Sequence, residues 1–229
     1  MSGAFLNNSG SSPKICAVIP TFNENNKLRE TVIQTKKFIE TVIVVDDGST
    51  DESISLVEKI DNVKIVSHEK NLGKGAALAT GLSFAKKSEF DFAVTLDADL
   101  QHDPGSIPKF LVEAEKGNYD IVIGNRLGTT KAMPLPRIAS NFLTSKLLSI
   151  KTGKKILDSQ SGFRLYKLER IEKILPAFNG FEAESEMLVY AARNKMEFGF
   201  VEIPTIYNDN ESKMKSIQAI IGFIKVLFI

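Results

Sequence analysis

Short, β-branched apolar runs that each stop at a polar or turn residue constrain the fold of this chain more than any other feature. Ile15 to Ile19 ends at Pro20, Thr41 to Val45 at Asp46-Asp47-Gly48, Phe92 to Leu96 at Asp97, and Asp120 to Ile123 at Gly124; Val63 to Ser67 is a further run. They are continuous rather than alternating, as strands covered on both faces should be. Between them lie helical patterns over Asn26 to Phe38, Asp51 to Ile60 and Lys74 to Lys87. Strands alternating with helices of that length predict right-handed βαβ units and a mostly parallel central sheet flanked by helices, an α/β architecture. Further on, Arg137 to Ile150 and the segment around Ala183 to Lys195 read as helices, followed by a strand from Phe200 to Tyr207. With no Pro/Gly/Ser linker before it, this C-terminal helical part is an appendage and not a separate domain.

Composition narrows the function classes. Hydrophobic residues at 43% and charged residues at 25% exclude a disordered chain and a polytopic membrane protein. A net charge of +1 leaves no global field to attract nucleic acid, so any electrostatic specialisation is local. The single cysteine, Cys16, excludes a disulfide framework and a Cys-based zinc site, and its place in an apolar strand makes it a core residue. Residues 1–13 read as a polar, disordered leader, 14–215 as the main domain and 216–229 as an apolar C-terminal helix. Ile217 to Ile229 is shorter than the ~20 apolar residues that span a bilayer. A core-packing helix, an interfacial helix and a truncated membrane segment all remain open for it.

Ligands of open α/β sheets bind outside the carboxyl ends of the strands. Several runs end there in Thr21-Phe22-Asn23-Glu24, Asp46-Asp47 and Asp97-Ala98-Asp99. Carboxylates gathered on one edge repel unless a cation or hydrogen-bond donors offset them. Asp97-Ala98-Asp99-Leu100-Gln101-His102 is the most informative segment. Its oxygen ligands suit Mg²⁺ or Mn²⁺ with phosphate oxygens completing the shell, and His102 would tilt the choice toward Mn²⁺. An EF-hand would need Gly at His102 and Glu at Pro108, so that reading fails. Asn71-Leu72-Gly73-Lys74-Gly75 is a cationic turn before a helix, whose amides and Lys74 can face an anion or simply turn the chain. It is neither a Walker A loop nor a dinucleotide fingerprint. Gly124-Asn125-Arg126 and Asp158-Ser159-Gln160-Ser161-Gly162-Phe163-Arg164 bring further arginines, suited to phosphate, near the same edge. His68 reads as structural.

Taken in order, these motifs resemble glycosyltransferase family 2 proteins of GT-A fold, a Rossmann-like fold, and within them the polyprenyl-phosphate (dolichyl-phosphate) mannose or glucose synthases. The resemblance runs from about Lys14 to Lys215. It implies that Pro20, Phe22, Glu24, Val45 and Asp47 surround the nucleotide of a nucleotide-sugar donor, with Lys74, Asp97, Ala98 and Lys213 also on the donor. It further implies that Asp97, Asp99 and Gln101 hold Mg²⁺ or Mn²⁺ and the donor diphosphate, and that Arg126 and Arg137 receive the phosphate of a polyprenyl lipid acceptor. The family's late basic motif matches at Ser212 and Lys213, but Asn210 and Glu211 depart from its usual Arg and Gly.

The implied reaction is an inverting transfer of a hexose. A polyprenyl phosphate is anionic already and needs no strong base, whereas a glycan hydroxyl would, with Asp158 the first candidate. A soluble or glycan acceptor is thus the alternative, and a non-catalytic nucleotide-binding scaffold the second. A lipid acceptor also implies a membrane surface, docked by the apolar tail and by the helix from Arg137 with Lys146, Lys151, Lys154 and Lys155. The expected location is the cytoplasmic face of a membrane.

Overall fold

The computed structural model describes residues 12–128, 133–206 and 216–229, for 216–219 the backbone only. A seven-stranded sheet runs through it in the order β3-β2-β1-β4-β6-β5-β7. The strands are β1 (Ile15–Thr21), β2 (Thr41–Asp46), β3 (Val63–Ser67), β4 (Phe92–Thr95), β5 (Ile121–Asn125), β6 (Arg164–Lys167) and β7 (Phe198–Glu202). The pairs β1–β2, β2–β3, β1–β4 and β5–β7 are parallel, while β6 runs antiparallel to both β4 and β5. The order reverses beside β1, with β2 on one side and β4 on the other, and such a switch point opens a crevice at the strand carboxyl ends.

The helices are α1 (Asn26–Thr35), α2 (Lys74–Lys87), α3 (Ile107–Gly117), α4 (Leu135–Thr152), α5 (Ala183–Arg193) and α6 (Ser216–Phe228). One core layer joins Val18, Ile43, Leu82, Tyr166, Met187 and Leu188; the other joins Ile19, Leu28, Val44, Val94, Phe110 and Leu165. Alternate residues of the same strands serve opposite layers, which is why the strands carry no polar face.

Two expectations are corrected, and two elements are new. Asp51 to Ile60 is a chain of turns rather than a helix. There the Asp51 carboxylate accepts the Ser53 and Asn25 amides, and Ser55 donates to the Glu52 carbonyl. Side chains that bond the nearby backbone in this way compete with helical hydrogen bonds. The last strand is Phe198–Glu202, earlier than the expected Phe200 to Tyr207. Helix α3 and strand β6 have no counterpart among the expected elements.

α6 divides its apolar residues between two environments. Val226 is buried and Phe223 and Leu227 pack on the core, while Ile220, Ile221, Ile224 and Phe228 are exposed. Lys151 of α4 donates to the Leu227 and Ile229 carbonyls, capping the helix end. No helix among the described residues is long and apolar enough to cross a membrane.

Candidate active site

The candidate site lies at the neighbouring carboxyl ends of β1 and β4. On its first wall Pro20 pairs with Val45, both buried, and Phe22 stands exposed on the rim. The loop after β1 is pinned to the loop after β2. The Asn23 amide donates to Ser49 Oγ, the Thr50 amide to Asn23 Oδ1, and the Glu24 and Asn25 amides to Ser53 Oγ. Glu24 lies 3.8 Å from the Lys27 ammonium. The Asp47 carboxylate is committed within the protein: it accepts the Leu72 and Gly73 amides at 2.8 and 2.7 Å, and lies 2.7 Å from His68 Nδ1.

Those bonds decide what the glycine-rich turn does. Its Leu72 and Gly73 amides are committed to Asp47, and the Gly75 amide to the Asn179 carbonyl at 2.7 Å. Gly73 takes φ +102°, and a side chain there or at Gly75 would collide with the backbone of residues 178–179. The turn is a backbone joint between α2 and the segment before α5, rather than an open cradle of amides. Lys74 instead reaches the acidic loop, 2.7 Å from Asp97 Oδ1 and 3.0 Å from Glu184 Oε1.

The acidic loop is shaped by three local contacts. Leu100 takes φ +66°, Asp99 Oδ1 accepts the Gln101 amide at 3.0 Å, and the Asp97 amide donates to His102 Nδ1 at 3.1 Å. Accepting that proton makes His102 the neutral Nε2–H tautomer, and burial lowers its pKa despite the pull of Asp97 and Asp99. Stacked on Phe163 with centroids 5.3 Å apart, it orients the loop from below. Ala98 is buried, and its carbonyl accepts from Thr31 Oγ1. Burial opposes ionisation of Asp97, yet the Lys74 ammonium, helped by Arg126, outweighs it and holds the carboxyl at about 2. For Asp99 burial and the charge of Asp97 act together and push the pKa up.

That contrast tests the loop as a metal site. An acid destabilised by its neighbour's charge calls for a cation, and Asp97, Asp99 and Gln101 offer oxygen donors suited to a hard divalent ion. No group of three or more His, Cys, Asp or Glu among the described residues could hold a metal. Asp97, Asp99 and Gln101 could supply at most part of the shell of such an ion, and the rest would come from outside the protein.

The opposite wall comes from β5 and from the turn before β6. Arg126 grips Asp158 in a fork, Nε to Oδ2 at 2.8 Å and Nη2 to Oδ1 at 2.9 Å, while its amide also donates to Oδ2. Asp158 is fully buried; burial opposes its charge, but Arg126 outweighs it and keeps the carboxyl below its ordinary range. Arg164 is turned inward and fully buried, donating to the carbonyls of Ser159, Ser161 and Glu184. It therefore braces the turn and offers no fork to a phosphate. Because β6 is antiparallel, its start, not its end, meets the carboxyl edge of the sheet, and Thr95 Oγ1 donates to the Gly162 carbonyl at 2.8 Å. Arg137 is exposed in the first turn of α4, and Lys213 lies outside the described residues. Glu184 was missed by sequence reasoning: in the first turn of a helix, an acid reads as an ordinary dipole partner.

This fold has counterparts among solved structures. Glucosyl-3-phosphoglycerate synthase from Mycobacterium tuberculosis, crystallised with Mn²⁺, UDP and glucosyl-3-phosphoglycerate, superposes with a TM-score of 0.74. The match covers 95% of this chain and 81% of that one, at 19% identity. The fold is thus that of the GT-A glycosyltransferases. The family model "Glycosyl transferase family 2" matches residues 16–175, more than half of the chain. Over 232 residues the chain is 31% identical to the UDP-N-acetylglucosamine–dolichyl-phosphate N-acetylglucosaminyltransferase of Methanococcus voltae, covering 91% of this chain and 92% of the relative. It is 30% identical over 217 residues to a dolichol-phosphate mannosyltransferase of Pyrococcus furiosus, covering 88% of this chain and 59% of that relative. The chain belongs to glycosyltransferase family 2 and is a transferase enzyme.

Proposed function

We propose that this enzyme transfers a hexose from a nucleotide sugar, GDP-mannose or a UDP-linked glucose or N-acetylhexosamine, to a polyprenyl phosphate at the cytoplasmic face of a membrane. The observation that carries the lipid acceptor is helix α4, which is inside out. Its buried face holds Asn141, Thr144, Ser145 and Leu148, whereas Leu135, Phe142, Leu143 and Ile150 are exposed, Leu135 at 79% and Ile150 at 71%. An apolar stripe of this kind suits an apolar environment. The exposed stripe of α6 adds to it, and the shallow basic surface formed by Lys146, Ser149, Ile150, Gly153, Lys154 and Lys155 suits anionic headgroups.

The polar face of α4 ties this surface to the reaction centre. Ser145 Oγ accepts the Ser159 amide at 2.9 Å, and Gln160 Nε2 donates to Thr144 Oγ1 at 3.1 Å, beside Asp158. The names of the relatives support a dolichyl-phosphate acceptor, and the Mn²⁺ and UDP of the structural neighbour support a donor held with Mg²⁺ or Mn²⁺. Such an ion, at Asp97, Asp99 and Gln101, would neutralise charge on the departing nucleoside diphosphate. Pro20, Phe22, Glu24 and Val45 form the nucleotide wall, which Asp47 braces through the Leu72 and Gly73 amides; Arg126 and Arg137 supply the cationic anchor for the acceptor. Both Asp158 oxygens are taken by Arg126, which suits an acceptor that arrives ionised better than a hydroxyl needing a base.

The test is transfer from each nucleotide sugar to a short polyprenyl phosphate with Mn²⁺, alongside flotation with anionic vesicles with and without residues 217–229. Lipid-independent transfer to a glycan, or no vesicle binding by either form, would sink the reading.

A further inference from the structure

Lys74 and Glu184 form an arrangement that donor binding by itself does not explain. The ammonium bridges two carboxylates from separate elements, Asp97 beyond β4 and Glu184 on α5, at 2.7 and 3.0 Å. Gly162 closes the side between them: a β-carbon there would stand 2.8 Å from Glu184 Oε1, 3.0 Å from Asp97 Oδ2 and 3.1 Å from Lys74 Nζ. The Phe181 ring lies 5.6 Å from the ammonium on another side. With its side chain only 15% exposed, Lys74 favours keeping a carboxylate partner, because a largely buried ammonium without one is disfavoured. A divalent ion at Asp97 and Asp99 would compete with Lys74 for Asp97. Glu184 is the partner that Lys74 would then retain.

We infer that Lys74 is the resting counter-ion of the acidic loop, holding Asp97 in place before a divalent ion arrives, and that Glu184 keeps Lys74 when the ion takes Asp97 over. Both are positioning residues that set how tightly the ion is held. The inference rests on the reading of the rim as a nucleotide–metal site.

Melting temperatures in EDTA, and calorimetric Mn²⁺ affinity with saturating UDP or GDP, separate the possibilities in wild type, Lys74→Met and Glu184→Gln. Lys74→Met should melt lower in EDTA, bind Mn²⁺ at least as tightly as wild type, and keep its nucleotide affinity in EDTA. Glu184→Gln should weaken Mn²⁺ about tenfold, or ~1.4 kcal/mol, because Lys74 then holds Asp97 as its one remaining acid. If Lys74→Met fails to fold, Glu184→Gln, with the Lys74–Asp97 pair intact, carries the test. Loss of nucleotide affinity in EDTA on Lys74→Met would make Lys74 a phosphate ligand and overturn the inference, as would unchanged Mn²⁺ affinity on Glu184→Gln. A wild type that binds neither nucleotide nor Mn²⁺ would overturn the proposed function along with it.

Discussion

Asp97 and Asp99 stand two positions apart and are held in opposite electrostatic states. The Asp97 carboxyl sits at about 2 against an ordinary 3.8, so between those values the unfolded chain binds more protons than the native one. Stability from Asp97 is therefore present above that window and lost as the pH falls through it. Asp99 is raised, so it works the other way: its contribution is lost as the pH rises past its native value. Asp99→Asn should remove that repulsion and raise the metal-free melting temperature at pH 7 by roughly 2–4 °C, the scale of about 1 kcal/mol in a chain this long, while abolishing transfer. A lower melting temperature would show that Asp99 is not strained. Asp158→Asn should instead destabilise by about 2–3 kcal/mol, since it leaves the half-buried Arg126 without its charge partner; urea titration measures it. Cys16, driven by burial up to about 12, should react with thiol reagents at pH 8 only once the chain unfolds.

Among the elements, α4 carries an apolar stripe that faces out, as the sequence reading of a docking helix expects. Ile138, Phe142, Leu143 and Leu147 share one side at helical spacing, the usual mark of a core-facing stripe. The structure buries the hydroxyl face instead, because residues 156–160 present backbone groups that need partners: the Ile156 and Ser159 amides donate to Ser149 and Ser145. Phe142→Ser with Leu143→Ser should thus leave stability within about 0.5 kcal/mol, as surface changes do, yet reduce vesicle binding severalfold in sedimentation. Helix α3 escaped notice although Ile107, Phe110 and Ala114 line its buried face, since Pro104 and Pro108 look like breakers. Pro104 opens a 3₁₀ turn and Pro108 sits in the first turn of α3, where a missing amide costs little.

At the scale of the whole molecule, no group of three or more His, Cys, Asp or Glu among the described residues could hold a metal, so the proposed ion needs the donor diphosphate to complete its shell. Mn²⁺ or a nucleoside diphosphate added singly should each shift the melting temperature little. Together they should stabilise by about 2.7 kcal/mol at a hundredfold excess over their dissociation constant, and simple additivity in a thermal-shift matrix would refute this. The parallel half of the sheet, and the acids that close β1, β2 and β4, were legible in the sequence. Strand composition is a local property, and the carboxyl ends of parallel strands share one edge. The reversed strand β6 was not legible, because four residues carry no sign of their direction. Its reversal brings Asp158 to Arg126 and Gly162 to Lys74, Asp97 and Glu184. Residue types and spacing were enough to name the acids of the rim; which cation each would face depended on how distant segments packed, and only the folded chain decided that.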